Sequence, residues 1–488
     1  MLDIVDNASV FFKNRVTKKD PITRQALTTK FRMTSEPLSD SDALHGAIVP
    51  TFFKYLIPSL LGLFAMTSAS LVDGIFIGNY EGVTALAAVN LIIPIMTLLF
   101  GIGMMLSIGG SVRAGKYLGE GKVAAASAIF SKTLLSITVY GVAVIILGLA
   151  LEEQMFAGLG ATPELFSPMS EYYRVIMPFL FVQLLALVLY FFIRLDGMPN
   201  LAAVALAIGA IVNIVLDYLF IAAFGWGLAG AAFATGLSMV VPALIMLIYF
   251  FRPARRLRFS FRQDHWREVF YAAYNGVSEL INTVSGAMVA FILNWMLIER
   301  AGVNGVAAIT VVNYLLVLGF MMFFAISDTI QVMISQNFGA AKDDRIRGFL
   351  QTACCVIAVS SVGFIAVLMT TSEPLIYLFV DEQNSTEMVG LATELVSYVW
   401  PLFLFAGFNI LISGYLTALH LPFQSGLVAA SHSLIFPAGF LLLFYYLVSD
   451  HRFVAALPTA EGFTFILALI IFLRHRPQKS MPVTTRDK

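Results

Sequence analysis

Residues 201–224 read LAAVALAIGAIVNIVLDYLFIAAF, and the reading of this run decides the fold. It is long enough to cross a bilayer as a helix, and it is apolar except at Asn213 and Asp217. Four residues apart, these two lie one above the other on a single helical face. A carboxylic acid in hydrocarbon costs about 2.5 kcal/mol or more. A chain keeps one there where the acid faces a cavity and binds a proton or a cation. A polar spot that only joins helices would explain Asn213 alone; the acid one turn away favours a functional site.

The rest of the chain agrees with a membrane setting. Of its 488 residues 59% are hydrophobic and 12% charged, with a mean hydropathy of +0.85, whereas soluble domains carry about a quarter charged residues. Soluble readings are thereby excluded. Cys354 and Cys355 are adjacent within an apolar run and have no metal-ligand spacing around them, so they read as small packing residues. The six histidines, at 45, 265, 420, 432, 451 and 475, are scattered and suggest neither a zinc nor a haem site. No cofactor is expected beyond a coupling ion.

Residues 1–46 are polar, with no apolar core of the kind a cleaved signal peptide needs. They read as a cytoplasmic tail, disordered apart from one short amphipathic helix against the membrane. Twelve apolar segments follow, at 47–76, 86–113, 123–151, 168–194, 200–224, 227–251, 267–298, 304–336, 345–371, 391–419, 424–448 and 456–474. With the N-terminus inside, 27 of the 30 Lys and Arg residues fall on the inner side, leaving Arg174, Arg300 and Arg452 outside. So large a bias follows the positive-inside rule. It predicts a multi-pass protein of the plasma (inner) membrane with both termini cytoplasmic.

An internal repeat appears at an offset of 220 residues, where GVTALAAV (82–89) meets GVNGVAAI (302–309) and LGEGK (118–122) meets FGAAK (338–342). The fold expected is therefore all-α and polytopic, with twelve transmembrane helices in two six-helix lobes. Six crossings return the chain to its starting side, so the lobes share an orientation and a pseudo-two-fold along the membrane normal. The boundaries are a tail at 1–46, an N-lobe at 47–251, a basic linker at 252–266, a C-lobe at 267–474 and a tail at 475–488. A transporter that rocks between inward and outward openings has this architecture.

Asp73, in SLVDGIFIG, lies about 28 Å up its helix from Lys54, and Asp217 about 26 Å up its own from Asn200. Two carboxylates on different helices of one lobe thus reach similar depth, where closeness would favour sharing a proton. A helix-end residue in water is the bland alternative for Asp73. At the same offset Asp73 falls on Leu293. Matching Pro199 to Pro422 carries Asn213 and Asp217 onto Phe436 and Phe440. Ion coupling is therefore expected in the N-lobe alone. Glu279, about 18 Å from Arg267 and so near the midplane, is a second-lobe acidic candidate. It would serve as a second cation site or as a partner for a cationic substrate. Asp328 reads as a solvated residue at the cytoplasmic mouth, and Pro58 as a hinge, because it removes a helix hydrogen bond. Gly110–Lys116 has phosphate-loop spacing, but Tyr117 stands where Ser or Thr is needed and no strand precedes it. The abundant Phe and Met residues suit a cavity that re-packs around varied apolar ligands.

At VDGIFIGNYEGVTALAAVNLIIPI (72–95), IRLDGMPN (193–200), NIVLDYLFIAAFGWGLAGAAFAT (213–235) and SQNFGAAK (335–342), the chain resembles the multidrug and toxic compound extrusion (MATE) family, with most likeness to its DinF-like branch. The resemblance covers nearly all of 47–474. It implies an antiporter, not an enzyme, that expels amphiphilic and often cationic compounds in exchange for H⁺ or Na⁺. By resemblance, Asp73, Asn213 and Asp217 match the family's first-lobe cation or proton site, with Tyr172 and Thr235 as supporting polar residues and Glu279 at the acidic position of the seventh span. The likeness departs at two places. Asn409 is the nearest polar group where some relatives carry an aspartate in the tenth span, and ASHSL in the eleventh lacks an arginine. The partners expected are amphiphilic small molecules and the bilayer, with no nucleic acid, the protein being a monomer. A flippase for lipid-linked precursors is the alternative within transport, but it would want basic groups inside the cavity. An intramembrane enzyme would want a His/Asp or Ser/His constellation at one depth, and none is found.

Overall fold

The computed structural model describes residues 42–253, 255–260, 266–377 and 386–477. Most of the N-terminal tail and the last eleven residues of the C-terminal tail lie outside this range. Twelve of its helices are long and apolar enough to cross a membrane. We number them α1 (Ile48–Tyr80), α2 (Thr84–Gly119), α3 (Val123–Ala150), α4 (Pro163–Leu195), α5 (Pro199–Ala223) and α6 (Gly227–Tyr249) in the N-lobe. The C-lobe holds α7 (Val277–Gly302), α8 (Asn304–Gly339), α9 (Asp343–Ile376), α10 (Glu387–Ala418), α11 (Pro422–Leu447) and α12 (His451–Arg474). All twelve apolar segments of the sequence reappear as spans. Helix α1 runs unbroken through Pro58.

The repeat is visible in the backbone itself. Gly82 turns the chain between α1 and α2 at φ +85, and Gly302 does so between α7 and α8 at φ +61; both are left-handed conformations that disfavour a Cβ. At the opposite, basic end, α2 and α8 cross at Gly119 and Gly339, which the same 220-residue offset relates. A Cβ on Gly119 would lie 1.9 Å from the Gln336 carbonyl oxygen, and one on Gly339 would lie 2.0 Å from that of Lys116. Each glycine therefore rests on the backbone of the other's helix, and the lobes are shut against each other at that end.

Three segments depart from the sequence reading. Residues Asp42–His45 form a short helix clamped by the C-lobe: Asn337 Nδ2 donates to the Ala43 carbonyl at 2.8 Å, and Arg345 donates to that of Gly46 at 2.8 Å. The end of the tail is thus held by protein as well as by any membrane. The basic linker is likewise held over its described part. Asp196, buried after α4, accepts from the backbone N–H groups of Arg256 (3.2 Å) and Leu257 (3.1 Å) and from the Tyr249 hydroxyl (2.7 Å). Burial pushes the Asp196 carboxyl up to about 6 against the pull of these donors. The seventh span begins later than expected. Arg267–Asn275 is a separate helix with Phe270 and Tyr271 exposed, and the helix breaks at Gly276, where the Met105 carbonyl presses in.

Candidate functional site

The N-lobe brings its five predicted residues together. Asp217 ends the α-helical part of α5, which continues as a π-turn over Tyr218–Ala223, a wide turn found disproportionately at functional positions. Its side chain is fully buried, and neither carboxylate oxygen has a hydrogen-bond donor. The charged neighbour it senses is Asp73, on α1. Thr235 of α6 donates to Asp73 at 3.3 Å, and Tyr172 of α4, also buried, lies beside Thr235 and both acids. A cavity of about 400 Å³ reaches the group, with Asp73, Asn213 and Thr235 in its wall; Asp217 and Tyr172 lie behind them. The side chains on α1, α4, α5 and α6 thus converge inside one lobe, beside the cavity.

The same cavity extends to Asp328, so the solvated-mouth reading of that residue is corrected. Asp328 is 15% exposed and pairs across the lobes with Arg194 of α4, at 3.6 Å; Arg194 is 1% exposed and stacks over the Tyr190 ring. A basic residue that the sequence assigned to the membrane edge is buried at the lobe interface, its charge met by a C-lobe acid. Glu279 stands in the first turn of α7, after the separate helix Arg267–Asn275. It accepts from Gln331 of α8 at 3.0 Å, with Asp328 nearby. The structure places Glu279 with Asp328 and Gln331, and not with the N-lobe carboxylates.

One cluster escaped the sequence reading. In the C-lobe, His432 Nδ1 meets Glu461 Oε1 at 2.8 Å, and Asn409 Nδ2 donates to Glu461 Oε2 at 2.7 Å. These residues come from α11, α12 and α10, and nothing in the sequence spacing links them. The available signal was that a histidine and a glutamate each stand alone in an apolar span. Among the described residues no group of three or more His, Cys, Asp or Glu could hold a metal ion.

Twelve spans in two related lobes, with acids buried around an internal cavity, define a polytopic transporter. The MatE family model matches residues 58–219 and again 280–431, once in each lobe and over more than half of the chain. The chain belongs to the MATE family of membrane transporters and is not an enzyme. Among curated relatives it is 24% identical to the multidrug export protein MepA of Staphylococcus saprophyticus over 75% of this chain and 80% of that one. It is 22% identical to MepA of Staphylococcus aureus, over 76% and 82%. Among solved structures, MATE in complex with MaL6 superposes with a TM-score of 0.85 at 22% identity, covering 92% of this chain and 99% of that one. A MOP superfamily transporter from Pyrococcus furiosus gives 0.83 at 23% identity, over 91% and 99%. At these identities the structural likeness carries the fold.

Proposed function

We propose that the protein is a secondary active exporter in the plasma membrane, both termini cytoplasmic, which expels amphiphilic and cationic compounds in exchange for protons. The observation that carries this reading is the meeting of Asp73 and Asp217 from different helices, buried beside a cavity of about 400 Å³. Two carboxylates in contact repel when both are ionised. A single proton between them removes one charge and supplies the donor that Asp217 lacks. The multidrug export activity named for the MepA relatives and the apolar cavity wall both support amphiphilic substrates.

Transport then follows by rocker-switch alternating access. With the cavity open outward, a proton neutralises the pair and weakens its hold on a cationic substrate, which leaves. Pro58 gives α1 a point at which to bend as Asp73 changes charge. The carrier turns inward by parting the Gly119–Gly339 crossing, the proton is lost to the cytoplasm, and the ionised pair favours the next cation. Thr235, Tyr172 and Asn213 orient the acids. Sodium is the competing ion, since carboxylate, amide and hydroxyl oxygens also suit a hard cation. A flippase for anionic lipid-linked precursors is disfavoured because, among the described residues, the cavity wall carries Asp73 and Asp328 but no Lys or Arg.

The test is ethidium transport, as uptake into everted vesicles and across liposomes of purified protein, driven in turn by a pH gradient and a Na⁺ gradient. Efflux is expected to follow the pH gradient and to disappear in Asp217→Asn. Unchanged efflux in that variant overturns the mechanism, and dependence on Na⁺ alone replaces the ion.

A further inference from the structure

The C-lobe cluster occupies a telling place in the repeat. At the offset of 223 residues that carries Pro199 onto Pro422, Asn409, His432 and Glu461 fall on Ala186, Gly209 and Ser238. All three of those N-lobe residues line the cavity beside the carboxylate pair. Where the N-lobe has small residues around an open space, the C-lobe has an amide, an imidazole and a carboxylate touching one another. His432 is 10% exposed and Glu461 8% by side chain, and Asn409 is fully buried.

Local backbone marks the position as well. His432 lies in a π-turn, Ser431–Ile435, the C-lobe's counterpart in kind to the π-turn after Asp217. The fifth helix of each lobe therefore widens beside a buried ionisable group. The groups that face the imidazole can be named element by element. Helix α12 presents the Glu461 carboxylate, α10 presents Asn409, and α8 presents the Phe320 ring with its centroid 6.5 Å away. The other acids described near that seam are engaged elsewhere, Glu279 with Gln331 and Asp328 with Arg194.

We propose that His432, Glu461 and Asn409 form a second proton-binding site, in the C-lobe, with His432 as the acceptor and Asn409 as a positioning residue. Imidazole is the side chain whose ordinary titration lies nearest neutral pH. With the proton bound, imidazolium and carboxylate make a pair of no net charge. Without it, the carboxylate is left as a net negative charge in an apolar lobe, held by the Asn409 amide. The proton enters from water and returns to water, and no other bond is made or broken. Its purpose rests on the exporter reading, in which each lobe would then carry a proton step; its chemistry does not.

The experiment uses the full chain in nanodiscs with ¹⁵N-labelled histidine, the His432 signal being identified by its loss in His432→Gln. The expected result is a His432 imidazole that changes protonation state within the pH range over which the chain stays folded. In Glu461→Gln its midpoint is displaced by about one pH unit or more, and in Asn409→Asp, which keeps the side-chain shape, it is displaced in the opposite sense. Asp217→Asn leaves it unmoved. An imidazole that keeps one protonation state throughout, or a midpoint indifferent to both Glu461→Gln and Asn409→Asp, overturns the proposal. The two readings fail separately. Ethidium efflux that survives Asp217→Asn sinks the exporter mechanism without touching the His432 titration, and a silent His432 leaves the N-lobe mechanism standing.

Discussion

The two lobes share one backbone plan and use it differently. In the N-lobe, Asn213 and Asp217 on α5 stand beside Asp73 and a cavity. At the matching positions of α11 stand Phe436 and Phe440, both packed on Phe463 of α12, at 6.3 and 4.9 Å between ring centroids. The C-lobe's polar groups on α11 stand at His432, where they meet Glu461 and Asn409. Duplication fixed where the helices run; the side chains then decided what each lobe sets beside its fifth helix. An acid beside a cavity can take up ions and ligands, whereas an acid locked to an imidazole can take up only something as small as a proton.

Breaking the N-lobe arrangement should have the largest effect. Asp217→Asn is expected to lower ion-driven ethidium efflux by about tenfold or more, a loss of at least ~1.4 kcal/mol in the driving equilibrium. The analogous cut in the C-lobe aromatic packing, Phe440→Ala, should act on stability instead, by about 1–3 kcal/mol for a partly buried ring, measured as a lower melting temperature with the pH dependence of efflux kept. If both variants act alike, the contrast between the lobes is wrong.

The link between the lobes offers the next test. Removing Arg194 by Arg194→Ala leaves Asp328 buried beside Glu279 without its counter-charge, at a cost of about 3–5 kcal/mol. Adding Asp328→Asn should recover much of that loss, as a double-mutant cycle in thermal melts would register. At the α2–α8 crossing, Gly119→Leu and Gly339→Leu should each force the basic end apart, because even a methyl group meets a carbonyl oxygen at about 2 Å. Distances between spin labels on α2 and α8 at that end should lengthen equally in both variants if the pseudo-two-fold holds.

The smallest effect sharpens the comparison at one turn. Gly197 stands between α4 and α5 at φ +99, and its C-lobe counterpart is His420 at φ +59. Burial, reinforced by the charges of Arg113 and Lys116, pushes the His420 imidazole down to about 3. It is neutral in the folded chain and protonates in the unfolded chain near 6.5. The stability it supports is complete above about pH 6.5 and is lost as pH falls towards 3. His420→Asn tolerates the left-handed backbone and does not titrate. It should flatten the loss of melting temperature between pH 7 and 5, a difference of about 2 kcal/mol.

Legibility followed the range of the forces involved. Each span is written in its own apolar run, because in lipid the backbone must close its hydrogen bonds within the segment. That is why all twelve spans, and the lobe repeat with them, could be read without a structure. The N-lobe acids were legible because each is costly where it stands, so that Asp73 and Asp217 signal themselves one at a time. The break at Gly276 was not legible, since counting from Arg267 assumed one continuous helix.

What the sequence by itself determined is the number of crossings, their duplication, and the presence of acids within apolar spans. What only the tertiary structure decided is which polar groups meet: Asp73 with Asp217, Asp328 with Arg194, His432 with Glu461 and Asn409, and Asp196 with the linker. Hydropathy is a property of a segment, summed over its own residues. A contact between side chains on different helices depends on the rotation and depth of both, and no single segment carries that information.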